Sequence, residues 1–165
     1  MRPPLSFFVT GTPAGQPRVK ATAFGGHARV YIPTVVVKDG FKREHPATAW
    51  KRAVRDTASA EWAKAELPLV KWFGPLCVNL TFYLPRPKSH YQSNGALKPT
   101  APMWCEQKPD RDNADKAVLD ALTDMGLWDD DKQVCDGRIQ KRYAAANPWI
   151  DDQRSGCLIE IKECE

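Results

Sequence analysis

Apolar and polar residues alternate most cleanly over Leu76–Leu84, where Leu76, Val78, Leu80, Phe82 and Leu84 interleave with Cys77, Asn79, Thr81 and Tyr83. A period of two marks a strand with one buried face. Leu5–Thr10 repeats the pattern through Leu5, Phe7 and Val9, and so do residues 157–162, with Cys157, Ile159 and Ile161 set against Leu158, Glu160 and Lys162. Residues 18–22 and 28–32 read as a hairpin around Gly25-Gly26. Residues 134–143 read as one further strand carrying Arg138, Lys141 and Arg142.

Two stretches switch to helical spacing. Between 46 and 66, Trp50, Ala53, Val54, Ala58, Trp62 and Ala65 form a broad apolar face, with Arg52, Arg55 and Ser59 opposite. Pro46 suits the first turn. Farther on, Ala114, Ala117, Val118, Ala121, Leu122 and Met125 recur on one side. Asp112 is the expected N-cap of this second helix and Gly126 its C-cap, with Asp115 placed to suit the positive end of the helix dipole. Residues 85–109 show no period. The order strand, hairpin, helix, strand, loop, helix, strand, strand predicts one α+β domain over residues 1–165, a mixed β-sheet with two main helices packed on it.

The chemistry gathers around the second helix. Asp110 and Asp112 precede or open it, Lys116 lies one turn beyond Asp112 on the side away from the apolar stripe, and Asp129, Asp130 and Asp131 follow it. Converging carboxylates are hard oxygen ligands of the kind that suit Mg²⁺ or Mn²⁺. The same residues also have plain structural uses, as caps, turn formers and a solvated acidic loop. On residue type alone both readings stand.

Composition adds modest constraints. The chain carries 24 Lys and Arg against 20 Asp and Glu, a net charge of +4. With an acidic site to house, the excess positive charge must lie elsewhere, which fits a polyanionic partner. Arg18, Lys20 and Arg29 fall on the hairpin, and Arg138 and Arg142 on a later strand. The 85–109 stretch holds Arg86, Lys88, Lys98 and Lys108 against Glu106. A loop of that length inside a compact domain is either functional or disordered, and the functional reading is a mobile flap facing DNA, with Tyr91 and Trp104 either packing on bases or pinning the loop. Five scattered cysteines form no CxxC pair and three distant histidines form no zinc pattern. These features, with no membrane-length apolar run and no signal-peptide core, predict reduced thiols in a cytoplasmic protein.

Residues 108–113 (Lys-Pro-Asp-Arg-Asp-Asn), then Lys116, Leu119-Asp120-Ala121-Leu122, Gly126, Trp128 and residues 130–134 (Asp-Asp-Lys-Gln-Val) resemble the RusA family of crossover (Holliday) junction endodeoxyribonucleases, found in bacteria and their prophages. The likeness is dense over 108–134 and thinner near residues 11–18. It implies a RusA-like homodimer that uses Mg²⁺, with Mn²⁺ as substitute, to resolve branched DNA by paired nicks in recombination and repair. Metal-binding acids would fall on Asp110, Asp112 and Asp131, supported by Asp130, and the family lysine on Lys116. Lys108 and Arg111 would join Arg18, Lys20, Arg29, Arg86, Lys88, Lys98, Arg138 and Arg142 on the DNA. Arg111 stands where an apolar residue is usual, and Ala114 and Asp115 replace a leucine and a neutral residue. Two other readings compete: an inactive binder of branched DNA, which predicts a broken acid set, and a hydrolase of small phosphate esters, which predicts a Gly-rich phosphate cradle.

Overall fold

The computed structural model describes residues 2–17, 20–24, 26–31, 35–36, 42–65, 70–144 and 154–164, with residues 24, 28–31, 35–36 and 42–43 described as backbone only. The strands are β1 (Leu5–Thr10), β2 (Lys20–Phe24), β3 (His27–Tyr31), β4 (Val35–Val36), β5 (Lys42–Arg43), β6 (Leu76–Leu84), β7 (Val134–Asp136), β8 (Ile139–Tyr143) and β9 (Gly156–Glu163). The helices are α1 (Pro46–Lys64) and α2 (Arg111–Asp124), with short 3-10 turns at Lys88–His90 and Asp131–Gln133.

The main sheet runs β1-β9-β6, with β7 and β8 both on the far side of β6. β1 and β6 pair antiparallel with β9, whereas β7 and β8 lie parallel to β6. The register builds transverse rows. Leu5, Ile161 and Val78 align; then Phe7, Ile159 and Leu80; then Val9, Cys157 and Phe82. All nine are buried. That face is covered by α1, through Trp50, Val54, Ala58 and Trp62, and by α2, through Ala114, Ala117, Val118, Ala121 and Leu122. Burial of this apolar area, at about 25 cal/mol per Å², drives the assembly.

Four expectations shift. The second helix starts at Arg111, and the N-cap position belongs to Asp110 rather than Asp112. Asp110 is extended, at φ −63° and ψ 147°, and its carbonyl accepts the Ala114 N–H at 2.9 Å. Asp112 is already inside the first turn. At the other end Met125 takes the cap and Gly126 follows it at φ 80°. The Gly126 N–H donates to Thr123 O and the Leu127 N–H to Leu122 O, a Schellman closure. Finally, residues 134–143 are two strands. At Gly137 (φ 152°) a Cβ would lie 1.9 Å from Val78 O, so only glycine lets the chain pass β6 there. The first helix ends at Lys64 with Ala65 as cap, two residues early, and Glu66 lies outside the described residues.

A parallel partner for β6 requires a crossover. Residues 85–110 and α2 supply it. The loop carries structure of its own: Tyr91 bridges Leu97, Trp104 bridges Arg142 on β8, and Cys105 packs with Leu84 and Tyr143 in a small second core. The turn expected at 147–152 lies outside the described residues.

Candidate metal and nucleic-acid site

The start of α2 is braced from two directions. The turn after β1 lies against it. The Gln16 N–H donates to Asn113 O at 2.9 Å, and a Cβ on Gly15 would stand 3.0 Å from the Cβ atoms of both Asn113 and Pro109. A side chain there would force the turn and the helix apart by a few tenths of an ångström. Gln16 Oε1 is buried beside this contact with no hydrogen-bond partner. An orphaned acceptor costs about 1–3 kcal/mol.

The second brace is the loop after α2. Trp128 is buried and donates from Nε1 to Thr123 Oγ1 at 2.7 Å. Gln133 Nε2 donates to Trp72 O and Gly74 O, both at 3.2 Å, while its Oε1 accepts the Asp129 N–H at 2.9 Å. This staples the Asp131–Gln133 turn to the 72–74 segment.

Three consecutive acids on that loop do three different things. Asp129 pairs with Lys71 at 2.7 Å. Asp130 caps the turn, accepting the Lys132 N–H at 2.9 Å, and that bond first of all holds its carboxyl below the usual range. Asp131, exposed, is left to the cluster at α2.

On α2, Asp110 and Asp112 are exposed, and Asp110 makes no capping bond with its side chain. Asp115 is partly buried. Its carboxyl is pushed above the ordinary range by burial and by the charges of Asp112 and Asp131, against the pull of Arg111 and Lys116. Asp112, Asp115 and Asp131 therefore share one field. Lys116 is 58% exposed, with Nζ 3.5 Å from Asp120 Oδ1. Asp120 is held from the other side by Lys51 at 3.3 Å. An exposed pair of this length is worth little, about 0.3–0.5 kcal/mol, so Asp120 holds Lys116 only weakly.

Hard carboxylates fit a divalent cation in kind. They do not yet fit in spacing: among the described residues no group of three or more His, Cys, Asp and Glu is gathered closely enough to hold a metal ion.

The basic residues divide. Lys20, Lys88, Lys98, Lys108, Arg111 and Arg138 are exposed. Lys98 Nζ also bonds Ser89 O at 2.8 Å. Arg86 is spent on the loop, donating to Ala144 O at 2.9 Å and Pro102 O at 2.8 Å. Arg142 lies over the Trp104 ring. Arg18 is outside the described residues, and Arg29 is placed on β3 as backbone. Sequence reasoning missed Asp115 as a member of the acidic cluster and missed Trp128 and Gln133 as its supports. The unusual acid at position 115 was visible. Its neighbours across the loop were not.

Fold and site together define an α+β domain with an acidic cluster at the start of a crossover helix and a cationic flank. The chain belongs to the RusA endodeoxyribonuclease family, whose model, Endodeoxyribonuclease RusA, matches residues 10–151. It is also similar to the uncharacterized protein YqaN of Bacillus subtilis (strain 168), 33% identical over 107 residues that cover 55% of this chain and 70% of that protein. Among the described residues no helix is long and apolar enough to cross a membrane.

Proposed function

We propose that this protein is a divalent-metal-dependent endodeoxyribonuclease of the cytoplasm that resolves four-way DNA junctions in recombination and repair. The family supports the nuclease reading. The observation that carries the site is the packing of the Asp131–Gln133 turn against α2, which brings acids of two separated segments to one helix, where Asp115 feels the charges of Asp112 and Asp131. Asp110, Asp112 and Asp131 would hold the ion, Mg²⁺ or Mn²⁺, with Asp130 shaping the turn that presents Asp131. A divalent ion held there would supply charge neutralisation and Lewis acidity at the scissile phosphate.

The chain's own residues do the rest. Lys116, one helical turn past Asp112, swings from Asp120 to the phosphate and offsets the charge that builds in the transition state. Lys108 and Arg111 flank the acids and fix the strand through its phosphates. Such contacts position the backbone without reading sequence. Lys20, Lys88, Lys98 and Arg138 extend the cationic surface along the arms. A four-way junction has two-fold symmetry, and two nicks at equivalent positions call for two copies of the site. A two-fold homodimer supplies them. Asp110, Asp112, Asp130, Asp131 and Lys116 are all present in the sequence, which favours this reading over an inactive binder, and no Gly-rich phosphate cradle favours a small-ester hydrolase.

The test is cleavage of synthetic four-way junctions with and without Mg²⁺. The expected result is paired nicks flanking the crossover, abolished by EDTA. In Asp112→Asn the nicks disappear while junction binding persists. Full cleavage by Asp112→Asn removes the metal-site assignment.

A further inference from the structure

Met103 and Trp104 stand out on the surface at 51% and 48% exposure. They sit on a ribbon that is otherwise fixed. The Tyr143 N–H donates to Met103 O at 2.9 Å and the Cys105 N–H to Lys141 O at 3.1 Å. Lys141 Nζ reaches Gln107 O at 2.6 Å, and Arg86 holds Pro102 O. The ribbon thereby adds to the edge of β8, with Cys105 buried beneath it. Arg142 stacks its guanidinium 4.9 Å from the Trp104 ring centroid, a cation–π contact that fixes the indole. Arg142 Nε is buried there with no hydrogen-bond partner.

An aromatic side chain raised on a rigid backbone costs little to order when something lands on it. What lands on it is set by the surrounding charge. Lys141 and Arg142 lie on the strand and Lys108 directly follows the ribbon, against Glu106. Such a rim selects a polyanion over an apolar protein patch. Trp104 lies six residues before Asp110, within about 20 Å even for a fully extended chain.

We propose that Trp104, backed by Arg142, is a stacking platform for an unpaired base of the branched DNA, seating the strand that runs on to the acidic cluster. The proposal deepens the junction reading and rests on it. Any base offers a π-face, so the platform selects an opened branch point over paired duplex without reading sequence. Arg142 polarises the indole and keeps its orientation. Lys141, by holding Gln107, fixes the distance between the platform and Asp110.

The experiment uses the full chain in EDTA, so that binding is read without cleavage. The probes are a four-way junction carrying a fluorescent adenine analogue at the branch point and a linear duplex of the same arm sequence. Wild type is expected to quench the analogue and to prefer the junction. Trp104→Ala should lose the quench and weaken junction binding about tenfold, the scale of one base–aromatic stack, with duplex binding unchanged. Trp104→Phe should restore most of both, and circular dichroism should show all three folded alike. Equal losses on junction and duplex, or an undiminished quench in Trp104→Ala, overturn the platform. So does a change from dimer to monomer by light scattering in Trp104→Ala, since the patch then faces a second copy. A wild type with no preference for the junction overturns the junction reading and the platform with it. A preference kept intact in Trp104→Ala overturns the platform alone.

Discussion

Replacing Asp115 by Asn removes one charge from the acidic cluster and leaves its shape. Without a cation that charge is a liability, because burial and the like charges of Asp112 and Asp131 both disfavour it. Asp112 and Asp115 are three apart on one helix, where a like-charge pair costs about 0.2–0.5 kcal/mol. Asp131 adds a comparable amount and burial somewhat more, while Arg111 and Lys116 give part of it back. Solvent screens these terms at a half-exposed carboxyl, so the net gain for Asp115→Asn in EDTA is about 0.5 kcal/mol, or about 1–2 °C in melting temperature at this chain length. With a divalent ion the sign turns. Wild type at ten times its dissociation constant for Mg²⁺ gains RT ln 11, about 1.4 kcal/mol. Asp115→Asn, with less negative charge around the ion, should gain less than half of that. The assay is a thermal melt of each protein in EDTA and across a Mg²⁺ titration, with Ca²⁺ and high NaCl as controls for specificity and screening. The reasoning is refuted if Asp115→Asn melts lower than wild type in EDTA, or if Mg²⁺ raises both proteins equally.

Lys116→Ala should lower the single-turnover nicking rate on junctions by about tenfold to a hundredfold with junction affinity nearly unchanged, and a loss confined to affinity would reassign the lysine to simple DNA contact. Gly15→Ala should destabilise by about 1–2 kcal/mol, because its Cβ meets Asn113 and Pro109 at 3.0 Å. An unchanged urea midpoint would show that the turn does not brace α2. Cys157 is wholly buried and burial pushes its thiol far above the ordinary value of 9.0, whereas Cys135 is exposed. A thiol reagent should therefore label Cys135 in the native state and Cys157 only at the rate of unfolding, with comparable native rates as the contrary result. The same shift carries a sign. The unfolded thiol ionises above pH 9.0 and the folded one does not, so Cys157 contributes stability that is lost as pH climbs past that value.

The strands were legible wherever one face is buried and the other open. Leu5–Thr10 and Leu76–Leu84 keep their expected bounds because a period of two leaves no choice of face. The start of α2 was less legible, since Asp110 and Asp112 are both good capping residues. The decision was made by backbone geometry, in the bond from the Ala114 N–H to Asp110 O. Gly137 did carry a signal, because an isolated glycine within a strand pattern marks a bulge or a close approach. The lone apolar pattern on either side of it concealed the break. Asp115 was out of reach for a different reason. Its burial and its exposure to the charge of Asp131 depend on a loop that returns to the helix only because Trp128 is buried and Gln133 bonds the 72–74 segment. Nothing local to residue 115 encodes that return.

The crossover from β6 explains why acids and cations occur side by side in a chain whose net charge is small. Parallel pairing of β6 with β7 and β8 obliges the chain to cross the sheet between residues 84 and 134, and the acids at 110, 112, 115 and 131 with Lys116 are all carried on that excursion. Its first half is a ribbon pinned to β8 with lysines along it and Trp104 exposed. Its second half is a helix whose apolar stripe is fixed in the core, so its outward residues have a defined direction. Charge of one sign could not serve both halves. A wholly basic excursion would bind DNA and offer no donors to an ion, and a wholly acidic one would repel the substrate before any ion could bridge them. The joint between the halves is Lys108 to Asp112, where sign changes at nearly every residue. Under the function proposed above, a phosphate held there would meet cations and carboxylates within a few residues of one another.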